Sequence, residues 1–451
     1  MSAALSTRPQ IDIGRTLDEG AFSTFQKIIV ILAALSIVLD GFDGQMIGFA
    51  IPVIMKEWGV SRSEFAPAVA AGLIGMGLGS AFAGVLADRF GRRWAIICSV
   101  LVFGVGTCLI GLAESTFQIA ALRFIAGLGV GGALPSSTTL TAEFTPARHR
   151  TMAITATIVC VPLGGMLAGF FASHVLPAYG WRWLFFAAGA LPVAFGLLLI
   201  WALPESPRYL SRRPERWAEL SRLLGRMSRP VALDAQFRDP AEQAHEKQAG
   251  IKALFSAGFG RDTVALWGAF FMCLLAVYSA FSWLPTLLSS QGLSVATAAS
   301  GLTAYNLGGV IGALGCAVAI SKFGSRWPLV ICCAGGAASA FWLKGVDLQN
   351  DTALLIYGIG LHGLFVNAVQ STVYAVCAYI YPTNVRATGT ASALAFGRLG
   401  AILSAFAGAL VIDLDGASSY FTLLGGAMVV VLVALAPVSY THLRAHETKA
   451  N

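Results

Sequence analysis

The sequence is poor in charge. Only 12% of its 451 residues are Asp, Glu, Lys or Arg, whereas 56% are hydrophobic. A water-soluble chain carries about 25% charged residues, so a soluble globular fold is excluded. Enzyme signatures are missing too: there is no His-Glu-x-x-His, no cysteine pair at metal-ligand spacing and no nucleophile triad in the polar segments. A membrane enzyme is therefore disfavoured, and no cofactor or metal is expected. The eight cysteines (Cys98, Cys108, Cys160, Cys273, Cys316, Cys332, Cys333, Cys377) all fall in apolar stretches. They read as small packing residues, with no disulfide framework. The opening MSAALSTRPQIDIGRTLDEG has no short apolar core ahead of a small-residue cleavage site, so a removable signal peptide is not expected.

What the sequence has in abundance is long apolar blocks. About twelve can be counted, each of roughly 18 to 25 residues, the length that crosses a bilayer as a helix. Backbone groups in lipid must bond internally, and blocks this long and uniform are helices rather than barrel strands. Of the 30 Lys and Arg residues, about 24 fall in the tails and even-numbered connections when the N-terminus is placed inside. The opposite side holds Lys56, Arg62, Arg182 and Lys344. This bias predicts both termini in the cytoplasm. It also accounts for the net charge of +7 without nucleic acid.

The longest polar stretch, 204–262, is rich in Arg and divides the chain. The predicted organisation is a cytoplasmic tail (1–26), a six-helix half (27–203), a cytoplasmic linker (204–262), a second six-helix half (263–438) and a solvated tail (439–451). The halves echo each other. ADRFGRRW (Ala87–Trp94) returns as ISKFGSRW (Ile320–Trp327), and EFTPARHRT (Glu143–Thr151) returns as YIYPTNVRA (Tyr379–Ala387). Pro146 then lies over Pro382, and Arg150 over Arg386. Repeated helical halves with a site between them are the architecture of secondary transporters. A channel or sensor needs no such repeat.

These residues carry a family resemblance. GVLADRFGRRW after the second block resembles the signature loop of the major facilitator superfamily, as does RFIAGLGVGG in the fourth block. PESPRYL after the sixth is similar to a motif of the sugar porters. LDGFDG in the first block and YPTNVRATGTASALAFGRLGAILS around the eleventh resemble one subfamily, the aromatic acid:H+ symporters. The resemblance implies an all-α integral membrane fold of twelve transmembrane helices in two pseudo-symmetric halves. It also implies proton-coupled uptake of an aromatic carboxylate such as a hydroxybenzoate across the inner membrane by alternating access. The partners expected are that carboxylate, a proton and the lipid bilayer, and the chain is expected to act as a monomer. The alternative is the same fold used for another organic anion or for proton-coupled export.

Ionised residues inside apolar blocks are the candidate site. Asp40 lies about ten residues from the outer end of the first helix, near the bilayer middle, and Asp43 about one turn further out. A charged carboxylate facing lipid at this depth costs about 3 kcal/mol or more. Each acid should therefore face a wet cavity, pair with a cation or take up a proton; a structural cap on a broken helix is the plainer alternative. Arg123 in the fourth helix matches Asp43 in depth. The resemblance puts these two helices side by side, and an Asp43–Arg123 ion pair is expected, with snorkelling of Arg123 to the interface as the alternative. Arg398 lies mid-way along the eleventh helix with no acid at its depth in neighbouring helices of its own half. Its planar fork suits a substrate carboxylate, although a water-solvated structural Arg would read the same way. Candidate ring and amide contacts are Tyr278, Phe281, Trp283, Tyr305, Asn306, Asn367, Gln370 and Tyr374, together with His362 as a possible proton carrier. Each taken singly reads as packing as readily as ligand.

A charge scheme follows. Protonation of Asp40 removes one charge from the cavity and an anion on Arg398 cancels another, so the proton and the anion cross as a nearly neutral load. Asp88 in the tight turn at Gly91 can meet Arg92, and Glu143, Arg148 and Arg150 read as part of the same gate. By resemblance Gly84, Asp88, Gly91, Arg92, Glu143 and Arg386 influence transport without touching substrate.

Overall fold

The computed structural model describes residues 10–232, 235–239, 254–255, 259–347, 350–381 and 383–436. It is helical nearly throughout, and ten stretches are long and apolar enough to cross a membrane. Eight are single helices: α1 (Thr24–Trp58), α2 (Arg62–Phe90), α3 (Arg92–Ile110), α4 (Thr116–Phe144), α7 (Gly260–Ser290), α8 (Val295–Phe323), α9 (Arg326–Leu343) and α10 (Thr352–Ile380). The other two are broken. Ala147–Ala202 turns at Gly180, whose φ of 78° no helix tolerates, and is α5 before that residue and α6 after it. Thr383–Leu435 turns at Asp415 and Gly416 and is likewise α11 and α12. The twelve expected helices are therefore present.

Local chemistry fixes the helix starts. Ser23 and Gln26 form a capping box on α1, and Ser61 and Glu64 form one on α2. Each cap of this kind stabilises its helix by about 1 kcal/mol. Gly59, in the left-handed region at φ 66°, closes α1 and lets the chain reverse into α2.

Tertiary packing uses small residues, as expected where lipid gives helices no hydrophobic reason to associate. On α4, Gly127 and Gly131 sit against the backbone of Gly72 and Met76 on α2. In the second half, Gly308 and Gly312 on α8 sit against Gly360 and Leu364 on α10. Gly41 and Gly164 bring α1 and α5 together, and Gly400 brings α11 onto Phe271 of α7. The pairs α2–α4 and α1–α5 thus have counterparts in α8–α10 and α7–α11, six helices on. The repeat seen in the sequence is a repeat of packing.

One face of the bundle carries the N-terminal segment and the residues after α6. There the helix Ile13–Glu19 buries Ile13 and Leu17, and Gln10–Asp12 pairs in parallel with Gln236–Arg238. Two further short helices, Pro207–Ser211 and Trp217–Arg226, lie on the same face. It is called the terminal face below, and the face bearing the α1–α2 turn is the opposite face.

Candidate functional site

The seam between the halves is built from α1, α2 and α5 on one side and α7, α8 and α11 on the other. Asp40 and Asp43 are both buried on α1. Asp40 Oδ1 has no hydrogen-bond partner among the described residues. Thr107 of α3 donates its hydroxyl to Asp43 Oδ1. Asp43 lies within the electrostatic field of Arg123. No direct ion pair within 4.0 Å forms between Asp43 and Arg123: Thr107 takes Oδ1, and Asp43 Oδ2 has no hydrogen-bond partner among the described residues. Arg123 lies instead against Gly72 of α2, its Nε 3.0 Å from where a Cβ would stand, and that Nε has no partner among the described residues. A side chain at 72 would press on the guanidinium and require it to shift.

Arg398 projects from α11 across the seam. It donates to Tyr278 Oη at 3.0 Å and lies 2.8 Å from Met76 Sδ, a residue of the other half. Tyr374 and Asp40 contribute to the field it feels. The acid in that field, Asp40, is contributed by the opposite half, and among the described residues no carboxylate oxygen comes within 4.0 Å of Arg398.

An aromatic row continues from Arg398. Tyr278 meets Phe281 edge-on at 5.7 Å, Phe281 meets Tyr305 at 5.9 Å, and Tyr305 lies 6.1 Å from the His362 ring. His362 Nδ1 is 3.0 Å from Ser339 Oγ and 3.1 Å from the Gly336 carbonyl, which fixes the proton on Nδ1 and leaves Nε2 as an acceptor. Tyr305 Oη and His362 Nε2 are buried without a hydrogen-bond partner among the described residues. Asn367 donates to Gly363 O at 2.9 Å and lies near the Tyr305 hydroxyl. Gln370 and Tyr374 are half-buried about one and two turns further along α10.

Two expected ring or amide contacts lie elsewhere. Trp283 is fully buried between α7 and α11, and its indole N–H is used by Ala405 O at 3.0 Å. It packs within its own half rather than lining the seam. Asn306 is engaged with Gln45 of α1 in a reciprocal amide pair, at 3.1 and 2.7 Å, and donates also to Leu302 O. Its amide serves the join between the halves.

That join was not legible beforehand. Beside the Gln45–Asn306 pair, Gly48 seats its backbone on Phe281 O, and Gly169 of α5 lies against Thr303 of α8. At the opposite face Arg62 of α2 bonds Asp413 of α11 at 2.7 Å. Towards the terminal face Asp88 is 65% exposed, and Phe82, Val85, Leu86, Phe323 and Trp327 are exposed as well. The contacts between the halves named here, Gln45–Asn306, Gly169–Thr303 and Arg62–Asp413, run along the seam to the opposite face. Gln45→Ala or Asn306→Ala alone leaves a buried amide unpaired, at a cost of about 1–3 kcal/mol. The double variant should lose less stability than the sum of the singles. Thermal unfolding of the four proteins reads this out, and strictly additive losses would refute the coupling.

At the terminal face the residues expected to gate form a charge network. Asp88 bonds Arg92 at 3.0 Å, Arg92 Nε is 3.3 Å from Glu143, and Ser206 donates to Glu143. Glu205, from PESPRYL, accepts the backbone N–H groups of Arg93 at 3.2 Å and Ser206 at 2.8 Å and lies against Gly91, where φ is 98°. Burial pushes the Glu205 carboxyl above its ordinary range, opposed by those backbone N–H groups and by Arg216. Arg150 bonds Asp18 of the N-terminal segment and the carbonyls of Ala142 and Thr145. Arg148 is exposed, and Gly84 has open space beside it. The side chain of Arg386 lies outside the described residues, as does the 439–451 segment.

Comparison with known proteins agrees with this architecture. The model of the Major Facilitator Superfamily matches residues 33–319 and 266–451. A gallate transporter of Pseudomonas putida is 33% identical over 98% of this chain and 97% of its own length. The 4-hydroxybenzoate transporter PcaK of the same organism is 35% identical over 90% of this chain and 92% of its own. Among solved structures, a D-xylose–proton symporter superposes with a TM-score of 0.73 at 18% identity, covering 92% of this chain and 98% of that one. With the family model and these relatives spanning most of its length, the chain belongs to the Major Facilitator Superfamily and is a transporter, not an enzyme.

Proposed function

We propose that the protein is a secondary active transporter that takes up an aromatic carboxylate together with a proton. The observation that carries this reading is Arg398: a guanidinium on the seam, anchored by Tyr278, beside a row of aromatic rings and in the field of Asp40. A planar carboxylate satisfies such a fork through two parallel hydrogen bonds, and a ring attached to it can lie against Tyr278 and Phe281. The two relatives named above carry gallate and 4-hydroxybenzoate by name, and both compounds are hydroxylated rings bearing one carboxylate.

Asp40 is the proton site in this scheme. Its carboxyl faces the same charge field as Arg398 and holds no competing hydrogen bond on Oδ1. Asp43, held by Thr107 and facing Arg123, keeps the second charge of α1 balanced within its own half. When proton and anion are both bound, the cavity is close to neutral and the halves can rock without moving net charge through the low-dielectric layer. Alternating access then exchanges the Gln45–Asn306 and Arg62–Asp413 join at one face for closure around Asp88, Arg92 and Glu143 at the other. The Lys and Arg bias assigns the terminal face to the cytoplasm of a cell with the protein in its inner membrane.

The test is uptake of labelled aromatic acids into proteoliposomes with and without an imposed pH gradient. Accumulation of a hydroxybenzoate above equilibrium only when the exterior is acidic supports the reading. Accumulation of no aromatic acid, or accumulation indifferent to the gradient, refutes it.

A further inference from the structure

A second cavity, of about 920 Å³, lies away from the seam, between α2, α3 and α4. Its floor is made of small residues, Gly79, Ala83, Ala95, Ser99, Gly129 and Gly132. Its walls are large apolar side chains that remain open to the surroundings: Phe82, Leu86, Phe90 and Trp94 are 59, 48, 52 and 44% exposed. On α2 the lining runs from Gly79 to Phe90. At 1.5 Å per residue that is about 16 Å, close to half of a hydrocarbon core about 30 Å thick. The groove therefore spans the depth of one leaflet, the one at the terminal face.

The mouth of the groove is basic. Arg89 and Arg216 line it. Arg93 lies over the Trp94 ring at 5.4 Å. Arg216 is held by two hydrogen bonds to Glu219, each 2.9 Å. Arg89 makes no ion pair among the described residues. Its guanidinium rests 5.3 Å from the Phe90 ring, and the adjacent acid, Asp88, is turned to Arg92. Tyr209 closes the mouth from the short helix after α6 and is fixed there by donating its hydroxyl to Arg89 O at 3.1 Å.

We infer that this groove binds an anionic phospholipid, with an acyl chain along the α2–α4 floor and the phosphate on Arg89. The assignment does not depend on the substrate. Chain length fits the leaflet, the walls are apolar to their full depth, and a cation without an acidic partner stands at headgroup level. Basic side chains at that level each favour anionic lipid measurably, and Arg offers a phosphate two donors from one plane.

The full-length protein in phosphatidylcholine vesicles, titrated with dibrominated phosphatidylglycerol or dibrominated phosphatidylcholine, tests this through quenching of Trp94. The Trp94→Phe variant identifies that signal against the other tryptophans. Half-maximal quenching is expected at about a fivefold lower fraction of the glycerol lipid. Arg89→Gln should abolish the difference, and Ser99→Leu, which fills the floor, should weaken quenching by both lipids. Equal quenching by the two lipids overturns the proposal, as does an unchanged preference in Arg89→Gln. Should Trp94→Phe fail to fold, mass spectrometry of lipid retained by wild type and Arg89→Gln from an equimolar mixture decides. A phosphatidylglycerol excess lost in the variant supports the site, and the same lipid ratio in both refutes it.

Discussion

Asp40→Asn is expected to reduce pH-driven accumulation in proteoliposomes to the equilibrium level while leaving exchange of substrate across the membrane in place. The argument rests on what the carboxyl lacks. Asp40 is buried, and its Oδ1 has no hydrogen-bond partner among the described residues. An ionised carboxylate at mid-depth costs about 3 kcal/mol or more unless paired. The charges in its field are Asp43 on its own helix and Arg398 across the seam. Moving that carboxylate through the occluded state is easy only after it has taken a proton or when Arg398 is free to face it. Asn has nearly the same shape and is permanently neutral, so it imitates the protonated form. The variant can still carry the organic anion in both directions and can no longer link that movement to a proton. Counterflow measured without a gradient, beside uptake measured with one, separates the two. Wild-type accumulation by Asp40→Asn would remove Asp40 from the coupling step.

The charged part of this site was legible in the sequence because charge is so scarce there. Once apolar blocks are recognised, Asp40, Asp43, Arg123 and Arg398 stand out by depth alone, and their cost in lipid turns rarity into a statement about function. The fold was legible for a similar reason: blocks of bilayer length and two matched turns fix the helix count and the halves. Contacts that depend on which way a side chain points were not. Trp283 and Phe281 are two residues apart on α7, yet one is locked into Ala405 and the other stands in the aromatic row. Asn306 and Tyr305 are neighbours, and only the helix rotation decides that Asn306 meets Gln45. Contacts between the halves were hidden most completely, since Arg62 and Asp413 lie 351 residues apart and each looks like ordinary loop charge. Thr107 was invisible as a competitor for Asp43 because a threonine in an apolar helix reads as packing. The N-terminal segment illustrates the same limit: it reads as a cytoplasmic tail, and the burial of Ile13 and Leu17 is not signalled by its mixed charge.

Arg398→Ala is expected to weaken binding of a hydroxybenzoate by roughly 10- to 100-fold, and binding of the corresponding neutral amide far less. A hydrogen bond to a charged group contributes about 1.5–3 kcal/mol, and each 1.4 kcal/mol is a factor of ten in affinity. The carboxylate of the acid loses its counter-charge and its paired donors together, whereas the amide presents only one carbonyl acceptor and no charge. Removing Arg398 also frees Tyr278 Oη, which lies 3.3 Å from Met76 Sδ. The ring row behind it, Tyr278, Phe281 and Tyr305, keeps its edge-to-face contacts, so the variant retains the stacking surface and the loss reports on the charge. Arg398→Lys provides the intermediate case, because it keeps the cation and gives up the planar fork; its affinity should fall between wild type and Arg398→Ala. Binding of acid and amide to purified protein, followed by isothermal calorimetry, gives the comparison directly. A preference for acid over amide that survives in Arg398→Ala would mean that some other group holds the carboxylate, and the seam would have to be re-read around it.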